Sequence, residues 1–225
     1  MKKRVIAIVQ HKGGAGKTTT AVNLATMLAH LRPDLKVAIA DADVPGGYFA
    51  HGWLDPSLEP DVPVVKVALD ASGEGRYLKK ELDSIDADLI ILDLPPAVAA
   101  ISLRAVMYSD LMLIPLSDSG LDLKGAEHAM EYCLDAVAID PRKIIMLIPA
   151  GVNPQTNQYK EMVQTLPLLG RVSKTSIRHR TVYRELNDTG VGINRYKPYS
   201  DACFEVKRLA KEVLEIIEKE MSDAG

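Results

Sequence analysis

Lys12-Gly13-Gly14-Ala15-Gly16-Lys17-Thr18-Thr19 is the stretch whose reading decides the fold. Glycine backbone lets successive N–H groups converge on phosphate oxygens at positions where side chains would obstruct the approach. Gly13, Gly14, Ala15, Gly16 and Thr19 thus form the cradle, Lys17 reaches the terminal phosphates, and the Thr18 hydroxyl can ligate Mg²⁺. The ordinary phosphate-loop pattern carries glycine five residues before Gly16; here that residue is His11, and a second lysine, Lys12, follows it. The departure narrows a very large nucleotide-binding class to one branch.

The flanks agree with the loop. Val5-Ile6-Ala7-Ile8-Val9 is an apolar, largely β-branched run of strand length. Beyond the loop, Ala21, Leu24, Ala25, Leu28 and Leu31 recur at helical spacing until Pro33 stops the helix. Strand, glycine-rich turn and helix therefore follow in the order a phosphate cradle needs, with the helix N-terminus aimed at the anion.

Apolar runs alternate with helical segments along the rest of the chain. Strands are expected at 36–40, 88–92, 111–116 and 143–148, and helices at 75–85, 98–108, 123–137 and 159–166. Continuous apolar strands interleaved with helices predict an α/β fold: a mostly parallel twisted sheet with helices on both faces. A stretch rich in proline and glycine, 44–64, reads as a long loop beside the site. Residues 201–221 read as a helix with Val206, Leu209, Ala210, Val213, Ile216 and Ile217 on one face. With 225 residues, 47% hydrophobic and 25% charged, the chain is expected to form a single domain over 1–225.

Composition sets limits on function. The net charge of −3 excludes a whole-molecule attraction to nucleic acid, so any such binding must come from a local basic patch. Cys133 and Cys203 are isolated, with no CxxC and no clustered histidine, which argues against a disulfide framework, a zinc site or an iron–sulfur cluster. The N-terminal Met1-Lys2-Lys3-Arg4 precedes an apolar run too short for a secretory signal, and no segment approaches membrane-spanning length. A soluble, cytoplasmic protein is expected.

Carboxylates complete the nucleotide site. Asp93 ends the run Leu89-Ile90-Ile91-Leu92 and precedes Leu94-Pro95-Pro96, as an aspartate that supports a nucleotide-bound Mg²⁺ must. Asp41 and Asp43 follow Val37-Ala38-Ile39-Ala40 two residues apart, so they can face the same side. One can lie near the metal while the other handles the attacking water; a turn-forming aspartate pair ahead of Pro45-Gly46 is the alternative. Spacing does not say which aspartate has which role; Asp43 is the expected catalytic residue that handles the water, with Asp41 beside the nucleotide.

The octet, the Asp41/Asp43 pair and Asp93-Leu94-Pro95-Pro96 together resemble the deviant-Walker-A ATPases typified by ParA and MinD. Ile114-Pro115-Leu116 with Leu121-Asp122-Leu123-Lys124-Gly125, and Ser176-Ile177-Arg178-His179-Arg180 with Glu185-Leu186 and Gly190, are similar to later segments of the ParA pattern. The resemblance implies an ATPase that uses ATP and Mg²⁺, sandwiches ATP in a homodimer, and resets to monomers on slow, partner-stimulated hydrolysis. It implies that Lys12 reaches across to the partner's phosphates, and that Asn153, followed by Pro154, reads adenine; an Asn-Pro turn is the equal alternative. The chain departs from the ParA pattern at Asp43-Val44-Pro45-Gly46-Gly47, where Asp-Pro-Gln-Gly is usual. Its first strand begins at Arg4, as in the short form without an N-terminal helix-turn-helix.

Arg171, Lys174, Arg178, His179, Arg180 and Arg184 cluster, and Lys197, Lys207 and Arg208 follow. ParA-like proteins are similar in using basic residues of this region, and Lys174, Arg178, Arg180, Arg184, Lys207 and Arg208 are the expected contacts to non-specific DNA. A salt-bridged surface is the alternative, since Glu185, Asp188, Glu205 and Glu212 lie near in sequence. The acidic C-terminal segment argues against a MinD-like membrane helix. The expectation is a partition or positioning ATPase, nucleoid-associated, working with a ParB-like centromere-binding or cargo-adaptor protein on a plasmid, chromosome or other large cargo. A nucleotide-switched scaffold without significant hydrolysis is the competing expectation.

Overall fold

The computed structural model describes residues 3–43, 62–67, 75–96, 99–186, 189 and 191–220. Its strands are β1 (Arg4–Ile8), β2 (Val37–Asp41), β3 (Val64–Lys66), β4 (Leu89–Asp93), β5 (Leu111–Leu116), β6 (Ile144–Val152) and β7 (Ile177–Arg178). They form a sheet in the order β3-β2-β4-β1-β5-β6-β7, and every neighbouring pair is parallel. The expected strands thus occur within a residue or a few of their predicted bounds. β3 begins at Val64, which the sequence reading assigned to the end of a long loop, and β7 was not expected. Both are too short to show a periodic pattern; pairing with β2 and β6 is what makes them strands. Most of the expected loop, with Val44 to Gly47, lies outside the described residues, as do Asp188 and Gly190.

The helices are α1 (Lys17–Leu31), α2 (Leu78–Ser84), α3 (Ala99–Tyr108), α4 (Gly120–Ile139), α5 (Asn157–Leu169), α6 (Val182–Glu185), α7 (Ile193–Tyr196) and α8 (Asp201–Glu215). A π-helical turn, Ile216–Glu220, continues α8. Successive side chains of a strand point to opposite faces, and the sheet therefore buries two cores. Ile6 and Ile8 of β1 face one with α1 and α8; Val5, Ala7 and Val9 face the other with Ile101 of α3 and Cys133 and Ala136 of α4.

The expected apolar stripe of the last helix is committed to the first of these cores: Val206, Leu209, Ala210, Val213, Ile216 and Ile217 are all buried. Ser200 starts α8, its hydroxyl accepting the Cys203 N–H at 3.2 Å. Among the described residues no helix is long and apolar enough to cross a membrane.

Strand order reverses around β1, which has β4 on one side and β5 on the other although neither follows it in sequence. In open parallel sheets ligands bind beyond the carboxyl ends of the strands at such a switch point. The octet leaves β1 there, and Asp93, at the end of β4, stands beside Ile8 in register.

Candidate nucleotide site

The loop from Lys12 to Gly16 turns through left-handed backbone at Gly14 (φ 76°) and Gly16 (φ 83°). A Cβ at either position would meet nothing within 4 Å, so backbone conformation and not crowding requires glycine there. Gly16 caps α1, and the Thr20 N–H is bonded back to its carbonyl at 2.8 Å. The first turn of α1 holds no acidic residue, which leaves its positive end unopposed. Gly13, Gly14, Gly16, Lys17, Thr18, Thr19, Asp43 and Pro96 line a cleft of about 330 Å³ in front of that end. Phosphate oxygens would meet converging backbone amides, a lysine and two hydroxyls in this cleft.

Lys17 is buried at 7% exposure, with its ammonium 3.3 Å from the Lys12 carbonyl. Desolvation lowers its pKa, while the nearby Asp93 and Asp43 carboxylates work in the opposite direction. The lysine is thus held inside the cleft, next to the charge it would have to neutralise.

Asp93 is wholly buried; the Thr18 hydroxyl lies beside its carboxylate, but neither oxygen receives a hydrogen bond of good geometry. Burial is the main cause that raises its pKa to about 7, with the Asp41 and Asp43 charges adding to it and the Thr18 hydroxyl and Lys17 opposing. A buried carboxylate so poorly partnered is costly unless a cation comes to it. Its neighbour Thr18 offers a second hard oxygen, so the donor set fits Mg²⁺, which takes few protein ligands and completes its shell with phosphate and water.

Asp41 and Asp43 differ in their surroundings. Asp41 lies fully buried opposite Asp93 in the β2–β4 ladder, and its Oδ1 accepts the Asp43 N–H at 3.1 Å. This is the turn that the sequence allowed for the pair. Asp43 alone of the two lines the phosphate cleft, and burial, with the Asp41 charge, raises its pKa.

A second cleft of about 410 Å³ adjoins the other side of the loop, between Lys12, Gly14 and Thr20 and the opposing His179, Tyr183 and Arg184. Lys12 lines this cleft and not the phosphate cleft. Ala15 is buried beneath the loop. Asn153 lies exposed in a turn, its Oδ1 accepting the Gln155 N–H at 3.1 Å, and it lines neither cleft. Two residues of the site escaped the sequence reading: Pro96, as a wall of the cleft, and Gln10, a buried amide under the loop. Only an unexpected polar residue ending an apolar strand could have drawn attention to Gln10.

The basic residues are divided between two locations. Lys174, Arg178, Arg208 and Lys211 line a groove of about 570 Å³ along β7 and α8, shared with Glu205, Glu212 and Glu215. Arg180 and Arg184 instead line the cleft beside Lys12. Arg180 pairs with the buried Glu205 at 2.7 Å, and the Arg178 Nε lies 3.5 Å from the same carboxylate. Those two arginines therefore stabilise the fold around Glu205, while Lys207 is half-buried on α8.

The family pattern of the CobQ/CobB/MinD/ParA nucleotide binding domain matches residues 6–220. The Maintenance of carboxysome distribution protein A of Halothiobacillus neapolitanus is 30% identical over 217 residues, covering 95% of this chain and 97% of that protein. The chromosome-partitioning ATPase Soj of Thermus thermophilus is 26% identical over 241 residues, covering 95% and 96%. Among solved structures, the septum site-determining protein MinD of Pyrococcus horikoshii, complexed with Mg-ADP, superimposes with a TM-score of 0.71 at 19% identity, covering 97% of this chain and 98% of that one. That likeness shows the fold. The left-handed glycines, the enclosed Lys17 and the buried Asp93 beside it agree with that match, and the chain belongs to the CobQ/CobB/MinD/ParA nucleotide-binding domain family.

Proposed function

We propose that this chain is a positioning or partition ATPase of the ParA/MinD type, which binds ATP with Mg²⁺, dimerises around the nucleotide and returns to monomers on hydrolysis. The observation that supports this most directly is the buried Asp93 carboxylate, without a hydrogen bond of good geometry, beside Thr18 and Lys17. Mg²⁺ bound there would neutralise charge developing on the phosphates during transfer to water. Thr18 and Asp93 hold the metal from the protein side, and Lys17 lies against the terminal phosphates. Asp43, on the cleft wall with a raised pKa, orients the attacking water and accepts its proton. Asp41 keeps Asp43 in that position through the turn between them.

Lys12 acts in a second copy's site. In its own protomer it borders the neighbouring cleft, away from the phosphate cleft that Lys17 enters. An added cation at the phosphates couples nucleotide to association, because it contributes only when two copies meet. The ATP dimer then holds non-specific DNA through cations beside the groove, with Lys174 and Arg208 better suited than Arg178 and Arg180, whose charges are paired with Glu205. A large cargo fits the cycle, since the relatives' names speak of carboxysome distribution and chromosome partitioning, and a cargo adaptor would link it to the dimer.

Light scattering and phosphate release test the reading together. Lys12→Ala is expected to bind ATP as the unaltered chain does and to remain monomeric with it. Asp43→Ala is expected to dimerise with ATP and release no phosphate. Absence of phosphate release from the unaltered chain, with plasmid DNA present, would favour a nucleotide-switched scaffold.

A further inference from the structure

The residues just before the phosphate loop connect it to a helix far away in sequence. Gln10 is 3% exposed, and its Oε1 accepts the backbone N–H of His11 at 2.8 Å and of Lys12 at 3.4 Å. Its Nε2 donates to the Pro115 carbonyl of β5 at 3.1 Å. One buried amide thus orients the two peptide units that lead into Lys12. α4 closes on this amide through Gly125, where a Cβ would stand 2.6 Å from Gln10 Oε1 and 3.6 Å from Lys12 Cβ. Since three bonds hold that oxygen and its amide in position, Gln10 cannot swing aside for a larger residue.

His11 makes the second connection to the same helix. Its Nε2 lies 3.5 Å from the Tyr132 hydroxyl, and the two rings meet edge-on with centroids 5.6 Å apart. The His128 ring, one turn earlier on α4, stands at 88° to His11 with centroids 6.0 Å apart. Edge-to-face contacts of this kind favour one relative orientation of the rings. His128 and Tyr132 are four residues apart, so both rings project from one strip of the helix and hold His11 from one side.

We propose that His11 is a positioning residue for Lys12, seated on α4 by Tyr132 and His128, so that the placement of α4 sets the reach of Lys12. This rests on the reading that Lys12 acts across a dimer. The loop's other contacts with phosphate follow Lys12 in the chain, and Lys17 meets the seated segment only at the Lys12 carbonyl, 3.3 Å from its ammonium. A shift of α4 would therefore change association more than nucleotide affinity. The outer face of α4, which carries His128 and Glu131, thereby has a mechanical route to the dimer interface.

The test compares His11→Ala, His11→Gln and Tyr132→Phe, each alone and combined with Lys12→Ala, by ATP affinity, thermal unfolding and ATP-dependent dimerisation. His11→Ala and Tyr132→Phe are expected to weaken the dimer about five-fold or more, the lower end of ordinary site-to-site coupling. ATP affinity should change much less than association, unfolding should stay unchanged, and His11→Gln, which keeps a polar group near Tyr132, should recover part of the loss. In the Lys12→Ala background neither change should weaken association further, because the group they position is gone. Wild-type dimerisation of His11→Ala and Tyr132→Phe, beside a Lys12→Ala variant that fails to dimerise, would overturn the proposal and leave the role of Lys12 standing. Losses that add in full to that of Lys12→Ala would also overturn it. A Lys12→Ala variant that dimerises normally would refute the role of Lys12 itself, and the positioning role with it.

Discussion

The phosphate cleft and the basic groove along β7 each lie against a buried carboxylate, and the surroundings treat the two in opposite ways. Glu205, at the groove, accepts the Arg178 N–H at 3.1 Å and the Arg180 guanidinium at 2.7 Å. Asp93, behind the cleft-lining Thr18 and Lys17, receives no hydrogen bond of good geometry on either oxygen. Both side chains are nearly inaccessible. Glu205 closes the free edge of the last strand and pins α8 to it, which is a task within the fold. Asp93 has no comparable set of partners within the protein, which is the ground for proposing that a cation with phosphate completes its surroundings. A buried charge that the chain satisfies marks structure; one that it leaves unsatisfied marks a ligand.

Substitution of the two carboxylates should separate these roles. Asp93→Asn is expected to lower ATP turnover by roughly a hundred-fold to a thousand-fold, as loss of a strong electrostatic contact at the reacting phosphate does. Phosphate release at saturating ATP measures it, and turnover within a few-fold of wild type would remove Asp93 from the metal site. The same change should stabilise the nucleotide-free protein. The folded-state pKa of Asp93, about 7, is raised from an ordinary 3.8, so between these values the folded protein keeps a proton that the unfolded chain has released. Stability without nucleotide therefore falls as pH rises from about 4 to about 7, by up to about 4 kcal/mol from this group. Urea unfolding across that range should show the slope in the unaltered chain and a flatter profile in Asp93→Asn.

Glu205→Ala should do the reverse: cost about 3 kcal/mol of stability, by leaving an arginine and a strand N–H without their acceptor, while ATP affinity stays the same. Chemical denaturation and nucleotide titration on one preparation distinguish the two effects. A smaller cost is expected inside the cleft itself. Gly14→Ala meets no atom but must adopt a left-handed backbone, a strain of about 1 kcal/mol visible in thermal unfolding. If Gly14→Ala unfolds like wild type, the loop relaxes more easily than its φ suggests. The gentlest change concerns the groove's lysine and arginine. Lys174→Ala with Arg208→Ala should reduce the slope of log DNA affinity against log salt by about 2 in the ATP state, with ATP binding intact. An unchanged slope would locate DNA binding elsewhere or remove it.

How much of this could be read beforehand differs from element to element. β1, the octet and α1 were legible because the signal is local: an apolar strand, glycines at a turn and helical spacing up to Pro33. Asp93 was legible for the same reason, as an aspartate that ends a buried strand. The differing surroundings of Asp41 and Asp43 were not, since two residues of spacing fit both a shared face and a turn; the Asp43 N–H to Asp41 bond and the place of Asp43 alone on the cleft wall come from the fold. The basic cluster misled in part. Its residues are adjacent in sequence, yet Arg178 and Arg180 turn toward Glu205, twenty-odd residues later, and Arg184 toward the nucleotide loop. Gln10 and His11 carried no signal that named their partners, because those partners are Pro115, Gly125, His128 and Tyr132.

By itself the sequence determined the alternation of strand and helix, the phosphate loop and the aspartate that ends β4, because each is written in side-chain periodicity or in residues a few positions apart. The tertiary structure decided which charges are satisfied and which are left waiting. Burial and pairing depend on what a parallel sheet brings together from distant parts of the chain: Asp41 beside Asp93, Glu205 against Arg180, and α4 against the residues that lead into Lys12.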